Sequence, residues 1–270
     1  QSFWSYLAGI FVEAEEEEGI TPKELTSYQD YVFSYERKPV KGAQFEIRAA
    51  EDIYTSEGGA DAERLYAKGD LAATLTTDAD GKTWTGQEDW DGTDIAKGLP
   101  LGSYTVTQIT AGEGFALSEE NARPREIEIA YAGQEVPVIY RDTVYTNPRQ
   151  RVRICITKQD AQNDNPLAGA VFGLYAEEDI VNYKGKTIVR AGTLIATAET
   201  TTGADGLIED AVFAPELPHA SYRVKELAAP AGYRLNEESI ELHALYEKDQ
   251  RPLLSLSRIM KNEPAEVLDA

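Results

Sequence analysis

A lysine, a glutamate and an asparagine in the C-terminal half of this 270-residue chain stand where a self-made crosslink would need them. Lys158 closes a short alternating segment that begins at Val152, Glu226 lies in another from Tyr222 to Leu227, and Asn262 stands just before Pro264. Side chains two apart along a strand share a face, so Ile154, Ile156 and Lys158 point together, as do Tyr222, Val224 and Glu226. Both charges are thus placed where apolar neighbours point inward, and burying either alone is expensive. Desolvation lowers the pKa of an amine and raises that of a carboxylic acid, so a buried pair of this kind reaches the neutral state that chemistry requires. The Lys158 amine would then attack the side-chain carbonyl carbon of Asn262, with Glu226 polarising that carbonyl and shuttling protons while ammonia leaves. The product is an amide between side chains, formed once per molecule, so the chain reads as a structural module and not as an enzyme with turnover.

Taken singly, each residue has a plainer reading: a solvated lysine, a surface acid, and an asparagine in a turn. Shared parity on separate strands argues for the joint one. Linking the first strand of a domain to its last closes a loop of roughly 100 residues, worth about 4 to 5 kcal/mol if the entropy model for disulfides transfers to an amide.

The elements that must position these residues occur twice. Lys38-Pro-Val-Lys-Gly-Ala-Gln-Phe45 matches Asn165-Pro-Leu-Ala-Gly-Ala-Val-Phe172, and Glu51-Asp-Ile53 matches Glu178-Asp-Ile180. Asp80-Gly81 answers Asp205-Gly206, and Leu99-Pro-Leu-Gly-Ser-Tyr-Thr-Val-Thr-Gln108 answers Leu217-Pro-His-Ala-Ser-Tyr-Arg-Val-Lys-Glu226. Gly114-Phe-Ala-Leu117 then pairs with Gly232-Tyr-Arg-Leu235, and Asn147-Pro148 with Asn262-Glu-Pro264. A period of roughly 120 residues is too long for a solenoid unit and suits two tandem domains. The first copy lacks the chemistry. Counting back from Pro39 places the lysine position at Tyr31, or between Val32 and Tyr35 with a shorter loop, and Gln108 stands for Glu226. Only Asn147 remains, with Lys38 and Lys41 as substitute nucleophiles in the next loop, so no crosslink is expected there.

A net charge of −21 disfavours nucleic acid and anionic membrane as partners. One cysteine, Cys155, allows no intrachain disulfide and reads as a small buried strand residue. No run approaches the roughly 20 apolar residues of a membrane span, and the first residues have no basic signal-peptide region, so the chain reads as a segment of something longer.

Short alternating stretches separated by Gly, Pro, Asn and Asp predict an all-β fold, with strands near Gln44 to Arg48, Tyr104 to Ile109, Arg125 to Tyr131, Val152 to Thr157, Tyr222 to Leu227 and Ser239 to Ala244. Phe3, Leu7, Ile10 and Phe11 repeat at helical spacing before the run Glu15 to Glu18, so residues 1–28 read either as a helix or as the remnant of a preceding domain. The long connection Ala49 to Lys68 is expected to contain a short helical turn. Asp78-Ala-Asp80-Gly81 does not complete an EF-hand loop, since Thr76 would stand first and Gln87 last, and it reads as a hairpin turn. Leu99-Pro-Leu-Gly-Ser103 lacks the Thr-Gly ending of a sortase signal and reads as the approach to a strand. His219 and His243 are too isolated for a metal centre or hydrolase, and no cofactor is expected. Trp84 and Trp90 suggest a packed satellite cluster ahead of a sugar platform.

The separated motifs Lys158-Gln-Asp160, Pro166 to Phe172, Tyr222 to Glu226, Ala229-Pro-Ala-Gly-Tyr233 and Lys261-Asn262-Glu-Pro264 together resemble the B-type repeats of collagen adhesins and the SpaA-type pilins of Gram-positive bacteria. The resemblance extends over nearly all of Pro39 to Pro264. It implies two tandem prealbumin-like (inverse immunoglobulin-like, Greek-key) β-sandwiches, residues 29–149 and 150–265, after an N-terminal segment 1–28 and before a tail 266–270. It also implies a Lys158–Asn262 isopeptide bond assisted by Glu226, and an extracellular place on a bacterial cell wall. The expected role is a stalk or spacer whose partners are neighbouring domains of the same surface protein. The competing role is an adhesive module that contacts a host matrix protein or glycan through the Ala49 to Lys68 and Trp84 to Asp91 loops.

Overall fold

Period-two alternation with frequent turn residues leaves strand pairing as the way to satisfy the backbone, and every regular element among the described residues is a strand. The computed structural model describes residues 5–23, 30–55, 62–85, 98–130, 138–248 and 250–265. Its contacts divide the chain into unit 1 (Gln1–Glu15, Arg37–Arg149, Lys248–Pro252) and unit 2 (Glu16–Glu36, Gln150–Glu247, Leu253–Ala270).

The first ten strands are β1 (Ser5–Lys23), β2 (Asp30–Pro39), β3 (Gln44–Ala49), β4 (Ile53–Tyr54), β5 (Arg64–Tyr66), β6 (Leu71–Thr76), β7 (Lys82–Trp84), β8 (Gly102–Thr110), β9 (Arg125–Ile129) and β10 (Val138–Asn147). One sheet of unit 1 has the order β6-β3-β8-β9. Facing it, β1 pairs in parallel with β10 and antiparallel with β7. Phe45, Ile47, Tyr104, Val106 and Tyr145 fill the core between these sheets.

Unit 2 repeats the plan. Its strands are β11 (Arg151–Asp160), β12 (Val171–Ala176), β13 (Ile180–Val181), β14 (Thr187–Val189), β15 (Leu194–Glu199), β16 (Thr201–Thr202), β17 (Ile208–Glu209), β18 (Ala211–Leu217), β19 (Ala220–Ala228), β20 (Ser239–Ala244) and β21 (Leu253–Asn262). The sheet β15-β12-β19-β20 faces β18-β11-β21, and β11 runs parallel to β21 over ten residue pairs. A buried tyrosine anchors each β8-type strand in the same way: Tyr104 donates to Pro100 O at 2.8 Å and Tyr222 to Pro218 O at 2.7 Å. Cys155 is buried on β11.

Four expectations change. Residues 5–23 of the N-terminal segment form a strand and not a helix: Ile10, Val12 and Ala14, two apart, are buried in the core of unit 1, so strand parity overrides the helical spacing of its larger residues. Residues 16–36 are grouped with unit 2, where Phe33 joins the core and Tyr35 donates to the Glu216 carbonyl. Between Ala49 and Lys68 the described residues form the β4–β5 ribbon instead of a helical turn, because Ile53 docks into the core and pairs with Tyr66. The Asp78 turn, whose carboxylate accepts from the amides of Asp80 at 2.9 Å and Lys82 at 3.0 Å, is not the expected hairpin turn, because it carries the chain from β6, paired with β3, to β7, paired with β1 in the other sheet. Trp90, most of the Trp84 to Asp91 loop and the tail 266–270 lie outside the described residues.

Candidate crosslinking site

Three strands deliver the site. β11 brings Lys158 inward behind Ile154 and Ile156, β19 brings Glu226 behind Tyr222 and Val224, and β21 ends on Asn262. Register aligns them: Lys158 lies opposite Met260, Asp160 opposite Asn262, and Glu226 opposite Phe172. The side chains of Lys158 and Glu226 are both 0% exposed, and Asn262 is buried as well.

Inside that enclosure Lys158 Nζ lies 3.0 Å from Glu226 Oε1 and donates to Asn262 Oδ1. The Asn262 amide nitrogen donates to both Glu226 oxygens, at 3.0 and 2.9 Å. The amine therefore sits at the carbonyl end of the amide, and the carboxylate spans both the amine and the nitrogen that would depart. Burial lowers the Lys158 pKa, opposed in part by the hydrogen bond and charge of Glu226. The Phe172 ring, 5.6 Å from Nζ, forms part of the apolar wall. A lowered lysine pKa increases the share of free amine, the nucleophilic form.

Comparison with known proteins bears on the fold. The model of the SpaA prealbumin-like fold domain matches residues 152–252. Unit 2 is similar to that prealbumin-like domain over those residues. No curated protein matches the chain. Among solved structures, the chain is similar to the Bacillus anthracis TIE protein, with 18% identity and a TM-score of 0.53, covering 96% of this chain and 34% of that one. The likeness is one of fold, and the chain spans about a third of that structure's length. A streptococcal ancillary pilin is 16% identical with a TM-score of 0.33, covering 98% of this chain and 64% of that one. The minor pilin GBS52 of Streptococcus agalactiae is 17% identical with a TM-score of 0.28, covering 98% and 99%.

Unit 1 presents the same positions with other side chains. Gln108 lies opposite Phe45 as Glu226 lies opposite Phe172 in unit 2. The lysine position falls on Val12, not on Tyr31 or residues 32–35: Val12 is opposite Tyr145, two before Asn147, and its carbonyl accepts from Val40 N as the Lys158 carbonyl accepts from Leu167 N. Counting along the chain failed because Val12 stands 27 positions before Pro39, whereas Lys158 stands 8 before Pro166. Asn147 is engaged elsewhere, donating to Ala111 O at 2.7 Å and accepting from Asn121 Nδ2 at 3.0 Å. Asn121 in turn accepts from Arg125, whose guanidinium lies 3.9 Å from the centre of the Tyr145 ring. Lys41 is exposed.

Asp160, Tyr233 and Asn236, which have no role assigned from sequence, border the cluster of Lys158, Glu226 and Asn262. Tyr233 donates to Asp160 Oδ2 at 2.7 Å, and the Asn236 amide donates to Glu226 Oε2 at 2.7 Å. Asp160 closes the motif Lys158-Gln-Asp160 and Tyr233 the motif Ala229 to Tyr233, whereas Asn236 has no signal beyond the turn-rich stretch after β19. The two histidines serve packing and polar contacts: His219 meets Gln150 and the Tyr246 edge, and His243 meets Ser221. No group of three His, Cys, Asp or Glu suited to a metal ion occurs among the described residues.

Proposed function

We propose that the SpaA-type domain matures by joining Lys158 Nζ to Asn262 Cγ, and that the chain is a stalk or spacer segment of a Gram-positive surface protein, displayed outside the cell. One N–C bond forms, the Cγ–Nδ2 bond breaks, and the lysine proton passes through Glu226 to the departing nitrogen, which leaves as ammonia. The observation that supports this best is the closed triangle of Lys158, Glu226 and Asn262 with both ionisable side chains fully covered. An unreactive buried pair would be a poor use of that space, since apolar residues of similar volume are often as stable.

The stalk role follows from where the bond would lie. β11 and β21 are parallel neighbours, so a pull on the two ends of the domain shears them. A covalent link from Lys158 to Asn262 carries the force across, and the chain between them stays unloaded. Intact-mass measurement tests the reaction: one ammonia missing from the whole chain is expected, restored in Glu226→Ala. A full mass in the unaltered protein would reject it.

Adhesion is the second reading, favoured by Tyr54 and Leu65, which are 49% and 43% exposed on the β4–β5 ribbon. It predicts binding to a matrix protein or glycan surface that Tyr54→Ser with Leu65→Ser abolishes.

A further inference from the structure

We propose that Asn236 is a positioning residue for the crosslinking reaction, acting as the pin of a strap that holds Glu226 and Asn262 in reacting register; the inference rests on the maturation proposed above. The strap is the connection between β19 and β20. It is fastened to the chain around Asn262 at several points: Tyr233 bridges Pro264, Arg234 N donates to Glu263 O at 3.0 Å, and Ala265 N donates to Gly232 O at 2.8 Å.

Asn236 adds what these contacts cannot. Its backbone amide donates to Glu226 Oε2, while its side-chain nitrogen donates to the carbonyl of Lys261, the residue before Asn262, at 2.9 Å. Its side-chain oxygen accepts from Glu238 N at 2.9 Å, which orients the turn so that the amide faces Glu226. One residue thus ties the proton-shuttling carboxylate to the strand that presents the electrophile. A near-attack geometry is sensitive to displacements of about 1 Å, so a tie of this kind acts on rate.

Unit 1 serves as an internal comparison. By the matched stretches Gly114 to Leu117 and Gly232 to Leu235, Ser118 takes the place of Asn236, and its hydroxyl accepts from Asn121 N at 3.1 Å. Gln108, in the place of Glu226, keeps a buried side-chain oxygen with no hydrogen-bond partner. The strap contact to the central polar residue accompanies the copy that has the lysine.

The test follows ammonia loss by intact mass in the full chain after a short pulse of synthesis, comparing the unaltered protein with Asn236→Ala. Melting temperature is read for Asn236→Ala in a Lys158→Met background, which cannot crosslink. The unaltered protein is expected to be fully reacted at the first time point. Asn236→Ala is expected to react about tenfold more slowly or more, with little change in melting temperature in the Lys158→Met background. Full reaction of Asn236→Ala at the first time point, or slowing matched by a large fall in melting temperature, overturns the positioning role and leaves maturation standing. No ammonia loss in the unaltered protein overturns both.

Discussion

Val12 and Lys158 occupy the same register position in the two units, one opposite Tyr145 and the other opposite Met260. An aliphatic side chain fills that position in one copy and an amine in the other. Val12→Lys alone would place an ammonium beside the Phe45–Tyr145 ring pair with no carboxylate to receive it. A cost on the order of 3 to 5 kcal/mol in urea denaturation is expected. Adding Gln108→Glu should recover part of it, with a favourable coupling of about 0.5 to 3 kcal/mol. No second ammonia should leave, because Asn121 and Ala111 hold the Asn147 amide; a second loss in the double variant would refute that reading of Asn147.

Pulling experiments should distinguish the two units. If Lys158 is joined to Asn262, the 104-residue separation between them stays hidden under force. Lys158→Met should then release an additional length on the order of 350 Å when unit 2 opens, at about 3.4 Å per residue. Equal extension in the two proteins would remove the mechanical argument.

Gly81 and Gly206 occupy matching turns but should respond differently to alanine. Both have positive φ, +69° and +80°. A Cβ on Gly81 would sit 2.5 Å from the Val12 carbonyl oxygen and 3.0 Å from Pro39 Cβ, whereas one on Gly206 would meet nothing within 4 Å. Gly206→Ala should cost about 1 to 2 kcal/mol from backbone strain alone. Gly81→Ala should cost distinctly more, on the order of 3 kcal/mol or above, since Val12 is held in the sheet and cannot retreat. Calorimetry that ranks them the other way would contradict the packing of β1.

Acid should loosen unit 2 through Asp160. Its pKa is held down, first by the Tyr233 hydroxyl and then by the Gln162 amide. A carboxylate with a lower pKa folded than unfolded contributes stability above its unfolded pKa, near 3.9, and loses it as the pH falls through the folded value. The same hydrogen bond raises the Tyr233 pKa, so its part is present below about pH 10 and fades as the pH rises through the folded value. In a Lys158→Met background, where unfolding is measurable, Tyr233→Phe should flatten the fall in stability between about pH 5 and pH 2. An unchanged slope would assign the acid sensitivity to other groups.

Much of this protein was decided by residue order alone. Two copies of one pattern require two similar sandwiches, and period-two alternation assigned Lys158 and Glu226 to inward faces because a strand turns its side chains over at every residue. Tertiary structure decided what depends on pairing across distance. The first part of β1 belongs to unit 1 because Val12 and Ala14 find Tyr145 and Asn147, more than a hundred residues away, and no local spacing shows that match. Asn236 reads as an ordinary turn residue until its amide is found against Glu226 and its side chain against Lys261. Local periodicity sets which face a side chain takes, whereas register between remote strands sets what it meets there.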